Sequence, residues 1–256
     1  MLQQRKKLLR AAKILKAALL AYREATYDVD LTGVHYESGV LWLHQNQRSI
    51  STRSKRGPFP NHLVANAQHK EAVLAHNSCT TAMALLGRLT RKLLQRIASS
   101  IELVDLQIGR PLFSTRLVPG PDSSNCPHTV LKVRRLSADE TWILDTAGSQ
   151  YGFQDVLVPY EKYVADKACR IINDPTTYDA TETKDLDYFS TIPMLNISSA
   201  QKRDRESERK ERLHFATFVD TQVSEKLLSG SNSNFKDGLD SFVQRLGLHM
   251  SPSGHQ

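Results

Sequence analysis

The chain has 256 residues, enough to bury one substantial core, and its 40% hydrophobic and 24% charged residues are typical of a globular protein. No apolar run approaches the roughly 20 residues of a membrane-spanning helix, so we expect no membrane span. Three cysteines (Cys79, Cys126 and Cys169) form no C-x-x-C pair, which argues against a disulfide framework or a cysteine-rich zinc module. We therefore expect a protein of the cytoplasm or the nucleus.

The net charge of +7 is unevenly distributed. Residues 1–100 contain 16 Lys and Arg against 5 Asp and Glu, a balance of +11, whereas the remaining 156 residues carry −4. The basic residues are scattered over several predicted elements with few aromatic residues between them, so we expect a solvated basic surface and no nucleic-acid partner. A protein partner could bind through the basic N-terminal helix or the C-terminal helices.

The first half of the chain predicts helices around a short β-segment. Apolar residues at helical spacing predict one amphipathic helix over residues 2–25, docked on the core. Tyr27–Leu31 and Val40–His44 have the composition of two strands joined by a turn region at Gly33–Gly39. Gln45–Pro60 reads as a loop, and residues 61–76 have helical character. A further helix is predicted from Cys79 to about Ser99 because leucine and alanine recur on one face.

The second half carries the clearest β-pattern. Residues 101–120 predict a short strand and a proline-bounded loop, and His128–Arg135 and Thr141–Asp145 predict a β-hairpin. Pro159 precedes a predicted helix around Glu161–Ile172. We expect an α+β fold with a core over residues 1–190 and a helical extension over 191–256. Within the extension, the charge run at 201–212 is interpreted as an exposed helix or linker, followed by one or two amphipathic helices.

Three residues in chain order carry the main chemical signal. Cys79 follows Asn77 and Ser78 and is predicted in the first turn of a helix, where the helix dipole favours a thiolate. His128 opens the hairpin and Asp145 closes it, so the two can lie on adjacent strands. A nucleophilic cysteine needs a base, and the base needs a third group to orient it.

This order resembles the layout of papain, transglutaminases and arylamine acetyltransferases, in which a helix that bears the cysteine packs on an antiparallel sheet. The resemblance implies that Cys79 is the nucleophile, His128 the base and Asp145 the orienting group. Candidate oxyanion donors by position are the backbone amide of Cys79 and the side chain of Asn77.

The pairing of the hairpin leaves two alternatives open. A two-residue turn between Leu136 and Ser137 places His128 directly opposite Asp145. A four-residue loop over Ser137–Glu140 instead pairs Asp145 with Lys132, roughly 13 Å from His128 along the strand at about 3.3 Å per residue.

Histidines at a regular spacing raise the question of a metal site. His62, His69 and His76 are seven residues apart, and Cys79 follows. Seven residues of helix rise about 10.5 Å, so successive histidines of one helix cannot share an ion. His76 and Cys79 could share one, but no third ligand is visible, so we expect neither a metal nor a cofactor.

Three long stretches resemble uncharacterised proteins of filamentous fungi, many of which carry an N-terminal MYND zinc finger. The similarity covers approximately residues 3–190. Its most recognisable part is the pattern W-[IL]-L-D-x-[TA]-G-x-Q-Y-G, here Trp142 to Gly152. No cysteine precedes Cys79, so the zinc binding and partner recruitment of the finger are not implied for this sequence. The resemblance implies a fungal architecture and assigns no activity.

Two functions follow from these features. The first is a thiol-dependent enzyme, a hydrolase, deamidase or acyltransferase, that processes acyl or amide groups through Cys79 without a cofactor. The alternative is a non-catalytic fungal interaction or scaffold protein that keeps a degenerate papain-like core, with a possible association with a specialised-metabolite gene cluster. An open cleft above Cys79 would favour the enzyme, and a cysteine sealed in apolar packing would favour the scaffold.

Overall fold

The computed structural model describes residues 2–46, 56–120, 126–136, 140–191 and 199–251. These residues form helices α1 (Leu2–Ala25), α2 (Ala67–Ala75), α3 (Cys79–Leu85), α4 (Gly87–Leu94), α5 (Tyr160–Asp166), α6 (Lys184–Ser190), α7 (Ser199–Gln222) and α8 (Asn232–Met250). The strands are β1 (Leu31–Glu37), β2 (Val40–Gln45), β3 (Ala98–Gln107), β4 (Ser114–Val118), β5 (His128–Arg135), β6 (Thr141–Leu144), β7 (Leu157–Pro159), β8 (Arg170–Ile171) and β9 (Thr176–Thr177). The predicted α+β class is confirmed.

Helix α1 is the centre of the helical layer. Its apolar stripe is almost completely buried and packs against α2, α4 and α8 (Leu8, Ala11, Ala12, Ile14, Leu15, Ala18, Leu19 and Tyr22). Basic residues of the helix make contacts inside the protein: Arg10 donates to the carbonyl of Leu228, and Lys16 pairs with Glu71. The prediction of an amphipathic helix docked on the core is confirmed, and much of its charge is used to hold neighbouring segments.

A three-stranded sheet has the order β1-β2-β4, with β2 antiparallel to β1 and parallel to β4. The predicted first strand at Tyr27–Leu31 is wrong, because the strand starts at Leu31 and continues through Gly33 to Glu37. The turn consists of Ser38 and Gly39 alone, both with positive φ, which suits the twist of a two-residue hairpin. The sequence interpretation treated Gly33 as a turn residue, whereas it lies at an irregularity within the strand.

The larger, antiparallel sheet has the order β7-β6-β5-β3-β8, and β9 also pairs with β3. The helix predicted from Cys79 to about Ser99 is divided into two helices and ends earlier than expected. It breaks between α3 and α4, where Gly87 lies against the carbonyl of Ala180 with no room for a Cβ. It ends at Leu94, and the chain enters β3 at Ala98. The predicted loop before residue 120 contains the additional strand β4.

The C-terminal helices belong to the same core as the sheet. The charge run at 201–212 is not a linker, because it lies inside the continuous helix α7. Its last residue, Arg212, is buried and pairs with Asp185 and Glu208, which explains how a highly charged segment remains helical and packed. Apolar residues of α7 and α8 join the cluster that contains α1 and the inner face of the sheet (Phe215, Phe218, Phe242 and Leu246). Among the described residues, no helix is long and apolar enough to cross a bilayer.

Candidate functional site

Cys79 lies where two helices meet at a sharp turn. Helix α2 ends at Ala75, Asn77 adopts a positive φ of 52°, and Cys79 is the first residue of α3. This helix packs on β5, so the start of α3 faces the start of the strand. The Cys79 side chain is half-buried, and its Sγ lies 3.8 Å from the carbonyl oxygen of Pro127. The cysteine is therefore not sealed in apolar packing.

His128 is the first residue of β5 and is completely buried. Its Nε2 lies 3.0 Å from Oδ1 of Asp145, the residue that directly follows β6. The sequence-predicted partners are thus brought together by the hairpin. An imidazole with a carboxylate on Nε2 has its other nitrogen, Nδ1, available for a second partner.

The hairpin adopts neither of the two pairings considered from the sequence. Leu131 pairs with Leu144, so continuing the ladder sets Asp145 opposite Val130, two residues from His128. Two residues correspond to about 7 Å along a strand and to the same face of the sheet. The side chains of His128 and Asp145 are long enough to reach each other across that offset without a bulge. The pairing depends on the turn, which includes residues 137–139, outside the described residues.

The carboxylate of Asp145 is held by three donors. Besides His128 on Oδ1, the backbone N–H of Ala147 donates to Oδ1 at 3.2 Å, and the hydroxyl of Tyr163 donates to Oδ2 at 2.7 Å. Gly148 completes the arrangement, because a Cβ at this position would overlap the carboxylate. Every oxygen of this buried carboxylate has a partner, which fixes its orientation toward the imidazole.

The side chain of Gln150 connects the start of the cysteine helix to the imidazole. Its Oε1 accepts from the backbone N–H of Asn77 at 3.2 Å, so its amide nitrogen is the group that faces His128 Nδ1, also at 3.2 Å. Because an amide nitrogen only donates, Nδ1 is the acceptor in this contact. In the neutral form of His128 the imidazole proton therefore lies on Nε2, toward Asp145, and Nδ1 carries the lone pair that a base requires.

Burial and charge shift the pKa of all three groups. Burial alone would raise the pKa of the Cys79 thiol, but a hydrogen bond with His128 and its positive charge hold that pKa below its usual range. Burial opposes the protonation of His128, yet the charge and hydrogen bond of Asp145, with a smaller contribution from Cys79, raise its pKa to about 10. Burial likewise opposes ionisation of Asp145, but His128 and Tyr163 hold its pKa below the usual range.

A cavity of about 230 Å³ opens beside Cys79. The first turn of α3, the strand β4 and the short 3-10 helix Gly148–Tyr151 enclose it. Its lining is mixed, with polar and apolar side chains together (His76, Asn77, Ile108, Pro111, Ser114, Thr115, Arg116, Cys126, Pro127, Gln150 and Tyr151). Tyr151 also packs edge-on against the ring of His128, with ring centroids 5.0 Å apart.

The histidines of the seven-residue spacing do not assemble into a cluster. His62 lies in a 3-10 turn, His69 in α2, and His76 caps the end of α2. Burial and the charge of Arg23 lower the pKa of His76 to about 4, so this histidine lines the cavity as a neutral side chain. In the described part of the chain, no group of three or more His, Cys, Asp or Glu side chains could hold a metal ion.

Sequence reasoning missed Gln150, Tyr151 and Tyr163. The first two lie within the Trp142–Gly152 pattern and could have been suspected from it, whereas Tyr163 lies in α5 without a local signal. Asn77, considered as an oxyanion donor, uses its side-chain amide on Nε2 of its neighbour His76 at 3.1 Å. Cys169 does not line the cavity. Its thiol lies 4.0 Å from the carbonyl oxygen of Tyr163, and burial raises its pKa to about 11.

Comparison with known proteins adds no family to these observations. No protein-family model matches the chain, and neither the curated proteins nor the solved structures contain a match. The chemistry of the site therefore has to be inferred from its own geometry.

Proposed function

We propose that this chain is a thiol-dependent enzyme that processes acyl or amide groups, with a papain- or transglutaminase-like arrangement of Cys79, His128 and Asp145. One observation carries the proposal: a buried carboxylate orients a buried imidazole whose basic nitrogen faces away from it, beside a half-buried cysteine that lines a cavity. Buried ion pairs of this kind are costly to the fold, and pKa values shifted in opposite directions at a cavity are typical of reactive sites.

In the first step, the thiol proton of Cys79 moves to Nδ1 of His128. Asp145 stabilises the resulting imidazolium, and the pKa shifts of the three groups favour this charged pair. The thiolate then attacks the carbonyl carbon of a substrate bound in the cavity, and the carbonyl oxygen becomes an oxyanion.

Gln150 has two roles in this scheme. Before proton transfer, its amide donates to Nδ1 and selects the basic tautomer of His128. After transfer, Nδ1 is itself a donor, so the Gln150 amide loses its acceptor and can turn toward the cavity that it lines. There it would donate to the oxyanion, together with the backbone N–H at the start of α3.

The remaining steps need only the residues already named. The imidazolium of His128 donates its Nδ1 proton to the leaving amine or alkoxide, the carbon–heteroatom bond breaks, and an acyl group remains on Cys79 as a thioester. Attack by water, assisted by the same imidazole, gives hydrolysis or deamidation, and attack by an amine gives acyl transfer.

The rival function, a scaffold with a degenerate core, receives less support. Arg10, Lys16 and Arg23 of α1 make contacts within the protein, so these three basic residues are committed to the fold. A degenerate core would also have no need for the Gln150 contact that fixes the imidazole tautomer.

The test is to trap the acyl-enzyme. The protein is mixed with the activated ester p-nitrophenyl acetate, quenched in acid, and analysed by intact mass and peptide mapping. We expect one acetyl group on Cys79, lost with time as it hydrolyses, and none on that peptide in Cys79→Ala. Acetylation that is equally fast at Cys169 or Cys126, or unchanged in His128→Ala, would contradict the proposal.

A further inference from the structure

A second cysteine lies at the wall of the cavity that contains Cys79. Cys126 is exposed, and the two thiol-bearing residues share the cavity lining. Both also lie close enough to Tyr151 to act electrostatically on its hydroxyl. The third cysteine, Cys169, does not line this cavity.

The backbone next to Cys126 is in direct contact with the nucleophile. Cys79 Sγ lies 3.8 Å from the carbonyl oxygen of Pro127, the residue that follows Cys126. Cys126 directly precedes this contact residue of Cys79, and neighbouring Cα atoms are about 3.8 Å apart. A disulfide requires Cα atoms within about 4.4–6.8 Å, so the inference requires Cys79 and Cys126 to approach each other to within this range.

The chemistry of the two thiols is complementary. Oxidants such as hydroperoxides react with a thiolate, and Cys79 is the cysteine whose surroundings favour that form. Cys126 is an exposed thiol that lines the same cavity. This pairing of an activated cysteine with an accessible second one is the requirement for a reversible disulfide.

We propose that Cys126 is a resolving cysteine that protects and switches off the site by forming a disulfide with Cys79. The Cys79 thiolate attacks a hydroperoxide oxygen, the O–O bond breaks, and a sulfenic acid and hydroxide (or alkoxide) result. The Cys126 thiol then attacks that sulfur, the S–O bond breaks, and water leaves as the disulfide forms. The two thiols lose two electrons in total, and the peroxide gains them.

The disulfide would regulate the same site. The inference rests on the proposed function, because it needs a reactive Cys79. In the disulfide, Cys79 has no nucleophilic sulfur, and the cross-link covers the cavity wall beside it. A dithiol reductant would restore the free thiols and the activity together. Without Cys126, the sulfenic acid would proceed to the sulfinic acid, which such a reductant does not reverse.

The test treats the reduced full chain with hydrogen peroxide. Intact mass and non-reducing peptide mapping are then compared for wild type, Cys126→Ser and the matched control Cys169→Ser. We expect wild type and Cys169→Ser to lose two hydrogens and yield a Cys79–Cys126 peptide. Both should lose iodoacetamide labelling at Cys79 and recover it with dithiothreitol. Cys126→Ser should instead gain oxygen atoms at Cys79 and lose labelling irreversibly.

Two results would overturn the inference. One is irreversible oxidation of Cys79 in wild type at the rate seen in Cys126→Ser, and the other is a disulfide to Cys169. Labelling of the untreated protein separates this failure from that of the enzyme proposal. If reduced Cys79 alkylates rapidly but forms no disulfide, only the switch is wrong, whereas a Cys79 that is slow toward both reagents overturns both proposals.

Discussion

His128 and Asp145 are hydrogen-bonded at 3.0 Å although they are offset by two residues in the hairpin ladder. The offset keeps both side chains on one face and lets the carboxylate approach Nε2, which leaves Nδ1 on the side of Gln150. The relationship explains why a strand start and a strand end can supply a base and its orienting group. It also determines which substitutions should disturb the site without disturbing the fold.

Asp145→Asn should slow the alkylation of Cys79 at pH 6. The substitution keeps the size of the side chain but removes the negative charge that stabilises the imidazolium, so the pKa of His128 falls and less thiolate forms. Because a nearby opposite charge shifts a pKa by roughly 1–3 units, we expect a decrease of at least about tenfold. The rate is measured with iodoacetamide and mass spectrometry. An unchanged rate in a folded variant would show that Asp145 does not support the ion pair.

Gly148→Ala should disturb the same carboxylate by steric means. A Cβ at Gly148 overlaps the Asp145 carboxylate, and relief of such overpacking typically costs about 1–3 kcal/mol of stability. We expect a lower urea midpoint together with slower alkylation of Cys79. Gly247→Ala in α8 is the matched control, because nothing lies near its Cβ position, and it should be neutral or slightly stabilising. Equal effects of the two substitutions would contradict the packing described for Asp145.

Gln150→Ala should separate alkylation from acylation. Alkylation by iodoacetamide develops no oxyanion, so the variant loses only the tautomer selection in this reaction, and the alkylation rate should fall much less than the acetylation rate. Acetylation of Cys79 by p-nitrophenyl acetate passes through an oxyanion, and loss of one donor should slow it by roughly 10²-fold or more. Gln154→Ala, which removes another amide in the next loop, is the control. Equal losses for both reagents would assign Gln150 to tautomer selection alone.

Stability should depend on pH differently with and without the thiol. In Cys79→Ala, Asp145 still raises the folded-state pKa of His128 above 6.5, so its contribution is complete below pH 6.5 and is lost as pH rises through the folded value. In wild type, the folded-state pKa of Cys79 is lowered, so its contribution to stability grows as pH rises toward 9, the unfolded value. This gain offsets the loss from His128. Urea unfolding between pH 6 and 9 should therefore decline more steeply for Cys79→Ala. Parallel curves would contradict a coupled Cys79–His128 pair.

The helices and strands that depend on local sequence patterns could be predicted from the sequence. The first hairpin arm alternates, the second is a continuous apolar run at Trp142–Leu144, and the apolar stripe of α1 recurs at helical spacing, so the existence and type of these elements were predicted. The trio was found because Cys79, His128 and Asp145 fall at the start of a predicted helix and at the two ends of a predicted hairpin, in the order of a nucleophile, a base and an orienting group. The pairing register was not determined, because it depends on the turn between the arms rather than on the arms themselves.

The remaining features depend on contacts distant in sequence. The parallel pairing of β4 with β2 joins segments about 70 residues apart, and no local pattern encodes it. Tyr163 reaches Asp145 only because β7 turns the chain into α5. Gln150 acquires its role from the backbone of Asn77, whose position depends on the sharp turn between α2 and α3. Charge alone left 201–212 open between an exposed helix and a linker, whereas buried partners satisfy Arg212 within the helix α7.

The most direct test of the central claim is the pH profile of Cys79 alkylation in the reduced protein. Iodoacetamide labelling is followed by intact mass and peptide mapping for wild type, His128→Ala and Cys79→Ala. We expect the alkylation rate of wild-type Cys79 to inflect at a lower pH than that of an ordinary thiol, and His128→Ala to shift the inflection up toward the ordinary thiol pKa of 9. A wild-type Cys79 that titrates like an ordinary thiol, or reacts no faster than Cys126, would contradict the assignment of Cys79 as a nucleophile activated by His128.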